Sequence, residues 1–245
     1  MRSGFLRGMR KMDLELRRAL SRSPSDGSRR RRVIGSSSLA ATPAAIFAIV
    51  FLTGAARGEE AVSQRELQAK IDYCETCHGA SARGFRGYAP IPRLAGQQPE
   101  YLKNQLKAFV ERGRSSNIMY NVSHVLSPAM QTALASSFSS LNPKPLGGGS
   151  KQLAPAGKKI FEEGIPSSNI PPCGSCHGAD AKGNGPFPRL AGQLHDYLFG
   201  KLTNWSKERG QNPAKPDTSA IMEPIAHGLT EPQVRAVAAY LSDLE

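Results

Sequence analysis

The pattern C-x-x-C-H occurs twice, as Cys74-Glu75-Thr76-Cys77-His78 and as Cys173-Gly174-Ser175-Cys176-His177, and it uses all four cysteines of the chain. No other feature constrains the fold as strongly. In a short helix, positions i, i+3 and i+4 lie on one face. Two thiols can then add to the vinyl groups of a porphyrin while the adjacent imidazole reaches the iron from the same side. This is the attachment signature of a c-type haem. Zinc binding or thiol–disulfide exchange would leave the histidine after each second cysteine unexplained. Two copies with no cysteine left over predict two covalently attached haem c groups (iron).

The surroundings of the motifs are duplicated as well. Pro92-Arg93-Leu94-Ala95-Gly96-Gln97 recurs as Pro188-Arg189-Leu190-Ala191-Gly192-Gln193, 96 residues later. Tyr101-Leu102 answers Tyr197-Leu198 in the same register, and Glu111-Arg112-Gly113 answers Glu208-Arg209-Gly210 with a shift of one residue. Farther on, Met119, Val122, His124 and Leu126 answer Met222, Ile225, His227 and Leu229. The chain therefore reads as two tandem domains, 57–142 and 153–245. Segment 143–152, with its prolines and glycines, is a linker expected to be extended first and flexible later. Each domain is small for an unaided hydrophobic core, and a buried haem would supply the missing apolar bulk.

Both halves read as all-α. Ser63-Gln64-Arg65-Glu66 is a capping box opening a helix that runs into Cys74, and Ala154–Glu163 plays that part in the second half. There, 164–172 forms a proline-broken loop before Cys173. A middle helix follows each Pro-Arg-Leu-Ala-Gly-Gln segment, with Tyr101, Leu102, Gln105, Leu106 and Phe109 at helical spacing. A last helix opens at Ser127-Pro128, with proline at its first position, and its counterpart opens at Thr230-Glu231-Pro232-Gln233.

Charge narrows the function. The formal net charge is +12, but residues 1–56 carry eleven basic groups against three acidic ones, and 57–245 carry 21 against 17. A nucleic-acid binder carries its basic patch in the folded part, so nucleic acid is not expected as a partner. Residues 1–56 read as an N-terminal extension with a signal or anchor: Arg29–Arg32, an apolar run 40–52, then small residues Gly54, Ala55 and Ala56. The run is short of the roughly 20 residues a membrane span needs, unless it extends back to Val33. A cleaved export signal and an uncleaved membrane anchor both fit this pattern, and either implies export of the remainder.

The sixth iron ligand decides what each haem does. Met119 follows His78 by 41 residues and Met222 follows His177 by 45, both in what reads as a polar, irregular stretch before the last helix. A Met ligand raises the reduction potential relative to bis-His ligation and fills the coordination sphere. His124 and His227 are the rival pair. Met130 reads as core and His195 as surface. Pro92 and Pro188 are suited to fixing a loop whose carbonyl accepts the second ring N–H of each proximal histidine. Arg93 and Arg189 are candidates for the haem propionates, and Tyr101 and Tyr197 for the propionates or the core.

The duplicated C-x-x-C-H, the two P-R-L-A-G-Q segments, the Tyr-Leu helices and the two methionines together resemble the dihaem cytochrome c4 family over residues 59–245. The resemblance implies two class I cytochrome c domains packed through their haem-propionate edges. It also implies His78 with Met119 and His177 with Met222 as axial pairs, and a periplasmic carrier of the respiratory chain delivering electrons towards a terminal oxidase. The donor would be a quinol-oxidising complex or a dehydrogenase. The alternative is the dihaem subunit of a periplasmic flavocytochrome- or quinoprotein-type dehydrogenase complex. A dihaem peroxidase would need one open iron, whereas both repeats offer a methionine. The Arg-rich loop 79–91 and the long loop 164–172 depart from the rest of the repeat and bear on docking.

Overall fold

The computed structural model describes residues 61–215 and 217–245. The basic leader and its apolar run lie outside the described residues. Among the described residues the chain is all-α, with only isolated β-bridges, and no helix is long and apolar enough to cross a membrane.

In the first half, α1 (Gln64–His78), α2 (Pro99–Val110), α3 (Asn117–Ser123) and α4 (Pro128–Ser139) follow one another. The capping box of α1 forms: Ser63 Oγ accepts from Glu66 N, and the Glu66 carboxylate accepts from Ser63 N at 3.1 Å. Ser127 caps α4 by accepting from Met130 N at 3.2 Å, with Pro128 at the first helical position. The second half repeats the plan as α5 (Ala154–Glu163), α6 (Gly174–His177), α7 (His195–Thr203), α8 (Trp205–Glu208), α9 (Ser219–Gly228) and α10 (Glu231–Ser242). Where α1 runs unbroken through its C-x-x-C-H, α5 stops at Glu163 and the segment 164–172 intervenes before the short α6.

Two hydrophobic clusters repeat the duplication in space. Ala82, Ala95, Leu102, Leu134, Ala135 and Phe138 form the first, together with Met130. Ala181, Ala191, Leu198, Val237, Ala238 and Leu241 form the second, together with Phe161. Burial of Met130 agrees with its reading as a core residue.

The Pro-Arg-Leu-Ala-Gly-Gln loops are held identically in both halves. Leu94 N and Ala95 N donate to Ala82 O, as Leu190 N and Ala191 N donate to Ala181 O. Gly96 N reaches Phe138 O at 2.8 Å, and Gly192 N reaches Leu241 O at 2.9 Å, tying each loop to its last helix. Gly84 N and Gly183 N close the turn after each motif onto the carbonyls of His78 and His177, at 2.7 and 2.8 Å. Both glycines adopt positive φ, and a Cβ at Gly183 would lie 2.5 Å from Arg189 N.

The linker departs from the expected flexible strand. Pro143 O accepts from Arg93, Leu146 O accepts from Arg86, and a Cβ at Gly149 would sit 2.4 Å from the Cα of Ala239. Its glycines let backbone press against α10, so segment 143–152 is a packed strap.

The crossing of α5 and α10 is close, because a Cβ at Gly157 would lie 1.9 Å from Ala236 O. Gly157→Ala is therefore expected to destabilise the haem-loaded protein by about 1–3 kcal/mol, the usual cost of overpacking, measured by denaturant unfolding.

Candidate haem sites and the seam between them

Each C-x-x-C-H histidine is buried and tethered. His78 Nδ1 donates to Pro92 O at 2.8 Å, and His177 Nδ1 donates to Pro188 O at 2.9 Å. The bond fixes the tautomer and leaves Nε2 with its lone pair, the form that ligates a metal. Burial lowers the pKa of both imidazoles, against the opposing pull of the proline carbonyls, and the charge of Arg114 lowers that of His78 further. Neutral imidazole is thus favoured at both positions.

The four thiols are unpaired. Cys74 and Cys173 are half-buried, and burial pushes each thiol up to about 11. Cys77 and Cys176 are exposed. Each motif therefore presents one sheltered and one open sulfur beside a tethered imidazole.

Met119 and Met222 occupy equivalent places, both half-buried, but in helices α3 and α9 and not in irregular chain. Ser116 Oγ accepts from Met119 N and starts α3, a cap that the polar composition of the stretch concealed. The rival histidines are exposed and engaged locally. His124 stacks on Tyr120 with ring centroids 5.2 Å apart, and His227 hydrogen-bonds Ser206. His195 is more sheltered than the surface reading expected: its side chain is 14% exposed and contacts Asp196 at 2.8 Å.

The two halves meet along a seam with approximate two-fold character. The side chain of Gln193 accepts from Arg93 N at 2.8 Å and donates to Arg93 O at 3.0 Å. Gln97 does the same to Arg189, accepting from its N at 2.6 Å and donating to its O at 3.0 Å. Each glutamine thus satisfies the buried backbone of the opposite repeat. Beside this clamp, Arg114 Nη2 donates to Tyr197 OH at 2.7 Å, and Arg209 Nη2 donates to Tyr101 OH at 3.4 Å. Gln105 accepts from both guanidiniums. Backbone joins in through the Arg114–Arg209 bridge and Ser115 N to Glu208 O at 2.9 Å. Arg209 is therefore answered by Arg114, not by Arg112 as the one-residue shift implied; Arg112 lies over the Tyr120 ring, 3.5 Å from its centroid. Tyr101 and Tyr197 serve neither of their expected roles alone, because their hydroxyls bridge the seam.

Four guanidiniums, those of Arg93, Arg114, Arg189 and Arg209, are buried here, and none takes part in the ion pairs among the described residues. Burial pushes Arg93 down to about 10, helped by the charges of Arg189 and Arg83. The Arg93 side chain is committed to Ala95 O, Pro143 O and Asn142 Oδ1. Arg189 bonds Ala191 O through Nε but keeps Nη2 buried without a partner, as Arg209 keeps Nε. Buried donors left open are costly, and buried positive charge calls for an anion. The residues therefore fit haem c: two free thiols in each motif, imidazoles with Nε2 available, methionines at matched positions, and open guanidinium donors of the kind a propionate satisfies. Among the described residues no cluster of three His, Cys, Asp or Glu side chains offers a rival metal site.

An all-α chain with two such sites is a c-type cytochrome, an electron carrier with two covalently attached haems. The cytochrome c family model matches residues 154–245. The chain is 40% identical over 176 residues to a cytochrome c-552 of Acidithiobacillus ferridurans, covering 70% of this chain and 73% of the relative. It is 33% identical to a thiosulfate dehydrogenase electron acceptor of Stutzerimonas stutzeri strain A1501, covering 78% and 87%. Among solved structures it is similar to the cytochrome c4 of Acidithiobacillus ferrooxidans, with TM-score 0.61 and 37% identity over 71% of this chain and 99% of that one. The chain belongs to the dihaem cytochrome c4 family.

The lengths of the two seam bonds rank their contributions. Tyr197→Phe removes a 2.7 Å bond to a buried guanidinium and should cost about 1.5–3 kcal/mol, the range for hydrogen bonds to charged groups. Tyr101→Phe, at 3.4 Å, should cost measurably less. Denaturant unfolding of the two haem-loaded variants checks the order.

Proposed function

We propose that the protein is an exported, periplasmic dihaem shuttle in which each half holds one haem. In this reading Cys74 and Cys77 bind one haem and Cys173 and Cys176 the other. His78 with Met119 would hold one iron and His177 with Met222 the other. Arg189 and Arg209, with their open donors, hold propionates, and Arg93 supports its loop first and the haem second. Each haem supplies a one-electron ferric/ferrous couple. The protein's own residues orient the imidazoles, exclude water from the seam and hold the two halves in register. Burial in a fixed frame keeps reorganisation small as charge moves. The observation that carries this reading is the matched tethering of both histidines to prolines in loops clamped against each other.

The donor is either a quinol-oxidising complex or a dehydrogenase, and the acceptor is a terminal oxidase. Likeness to an acceptor of thiosulfate dehydrogenase supports a dehydrogenase as donor, and thiosulfate dehydrogenase is the first to test. Rapid reduction of the ferric protein by that enzyme and thiosulfate, in stopped-flow mixing, is the expected result. No reduction would remove that donor.

The ligand assignment is tested by magnetic resonance. Met222→Ala should convert one of two low-spin ferric signals to high-spin and leave the other, and Met119→Ala should do the converse. Unchanged spectra would remove the methionines as ligands.

Charge sets how partners approach. With the four seam arginines buried, 57–142 keeps eight basic against seven acidic groups, and 153–245 keeps seven against ten. The first half is expected to meet an acidic partner face. Transfer with that partner should slow as ionic strength rises, since such steering is screened over about 10 Å at 0.1 M salt. Salt-independent rates would count against it.

A further inference from the structure

The carbonyl that accepts from His78 and the amide that donates to Gln193 belong to one peptide group. Pro92 C=O takes the imidazole N–H at 2.8 Å. On the other side of the same planar unit, Arg93 N–H donates to Gln193 Oε1 at 2.8 Å. The mirror arrangement runs from His177 to Pro188 O at 2.9 Å and from Arg189 N–H to Gln97 Oε1 at 2.6 Å. Each chain is three groups long, part-buried at its histidine end and buried at its glutamine end, and ends on a side chain from the other half of the molecule.

We infer that Gln193 tunes the haem of the first half and Gln97 tunes the haem of the second, each through the Pro–Arg peptide of the opposite repeat. Resonance makes the peptide a relay. An acceptor on its N–H draws charge onto its carbonyl oxygen, and hydrogen bonds in series strengthen one another. A more negative Pro92 oxygen is a better acceptor for His78 Nδ1–H, which makes the imidazole a stronger donor to whatever Nε2 holds. That favours the ferric over the ferrous state, so each glutamine lowers the potential of the haem across the seam. Both are positioning residues, since neither touches the imidazole. The second bond of each glutamine, from Nε2 to Arg93 O at 3.0 Å or to Arg189 O at 3.0 Å, holds the amide in the required orientation.

Each relay also couples a haem to the seam. By linkage, the dependence runs both ways: oxidation of one haem strengthens the glutamine bond supplied by the other half.

The inference rests on His78 and His177 as iron ligands, and the test separates the two. The haem-loaded full-length protein, Gln193→Met and Gln97→Met are titrated electrochemically. Individual haem methyl resonances, assigned by their proximity to each half, report the two potentials separately. Gln193→Met should raise the potential of the first-half haem and leave the second, although Gln193 belongs to the second half. Gln97→Met should give the reverse. A shift on the same-half haem, equal shifts on both, or no shift would overturn the inference. Loss of the low-spin His-ligated spectrum in the wild type would instead overturn the ligand assignment, and the relay with it. Wild-type protein supplies a measurement that no variant's folding can obscure. Amide exchange at Arg93 and Arg189 should slow on oxidation, and exchange indifferent to redox state would sink the relay.

Discussion

The reciprocal clamp of Gln97 and Gln193 is the interaction on which the rest of the molecule depends. Loops carrying buried backbone N–H and C=O groups must find partners for them. In each half, the arginine of the Pro-Arg-Leu-Ala-Gly-Gln segment leaves both of its backbone groups to be met by a side chain from the other half. Neither half is complete alone. The same segments supply the carbonyls that orient the two buried histidines, so the surface that joins the halves also builds the two sites.

Burying four guanidiniums around that clamp would be a poor way to stabilise a small protein by itself. Buried charges lose hydration, and repulsion between Arg93 and Arg189 adds to the cost. Tyr101, Tyr197 and Gln105 soften it by accepting hydrogen bonds, yet donors on Arg189 and Arg209 stay open. Positive charge concentrated at a seam between two haem sites is what haem c, with its carboxylates, can neutralise. The core of each half is itself built from little more than a handful of alanines, leucines and one large aromatic.

Much of the fold was legible in particular residues. Ser63 and Glu66 announced the start of α1, Pro128 the start of α4, and Thr230 with Gln233 the start of α10, because caps are local chemistry. Three features were hidden. Ser116 turns the stretch around Met119 into a helix where composition suggested loop. The linker glycines provide close packing against Ala239, although their composition suggested freedom. Arg114 pairs with Arg209 because the backbone bridge joins them, and a repeat aligned by residue identity cannot see a bridge.

By itself, the sequence determined the two haem-attachment motifs, the duplication and the helices, since each is written within a few neighbouring residues. Only the tertiary structure decided what the repeated glutamines, tyrosines and arginines do. Their partners lie 83 to 108 positions away along the chain, and such contacts exist only once both halves have folded and met. In one half alone Gln97 would be a polar residue at the end of a loop; across the seam it completes the backbone that carries the other half's histidine contact.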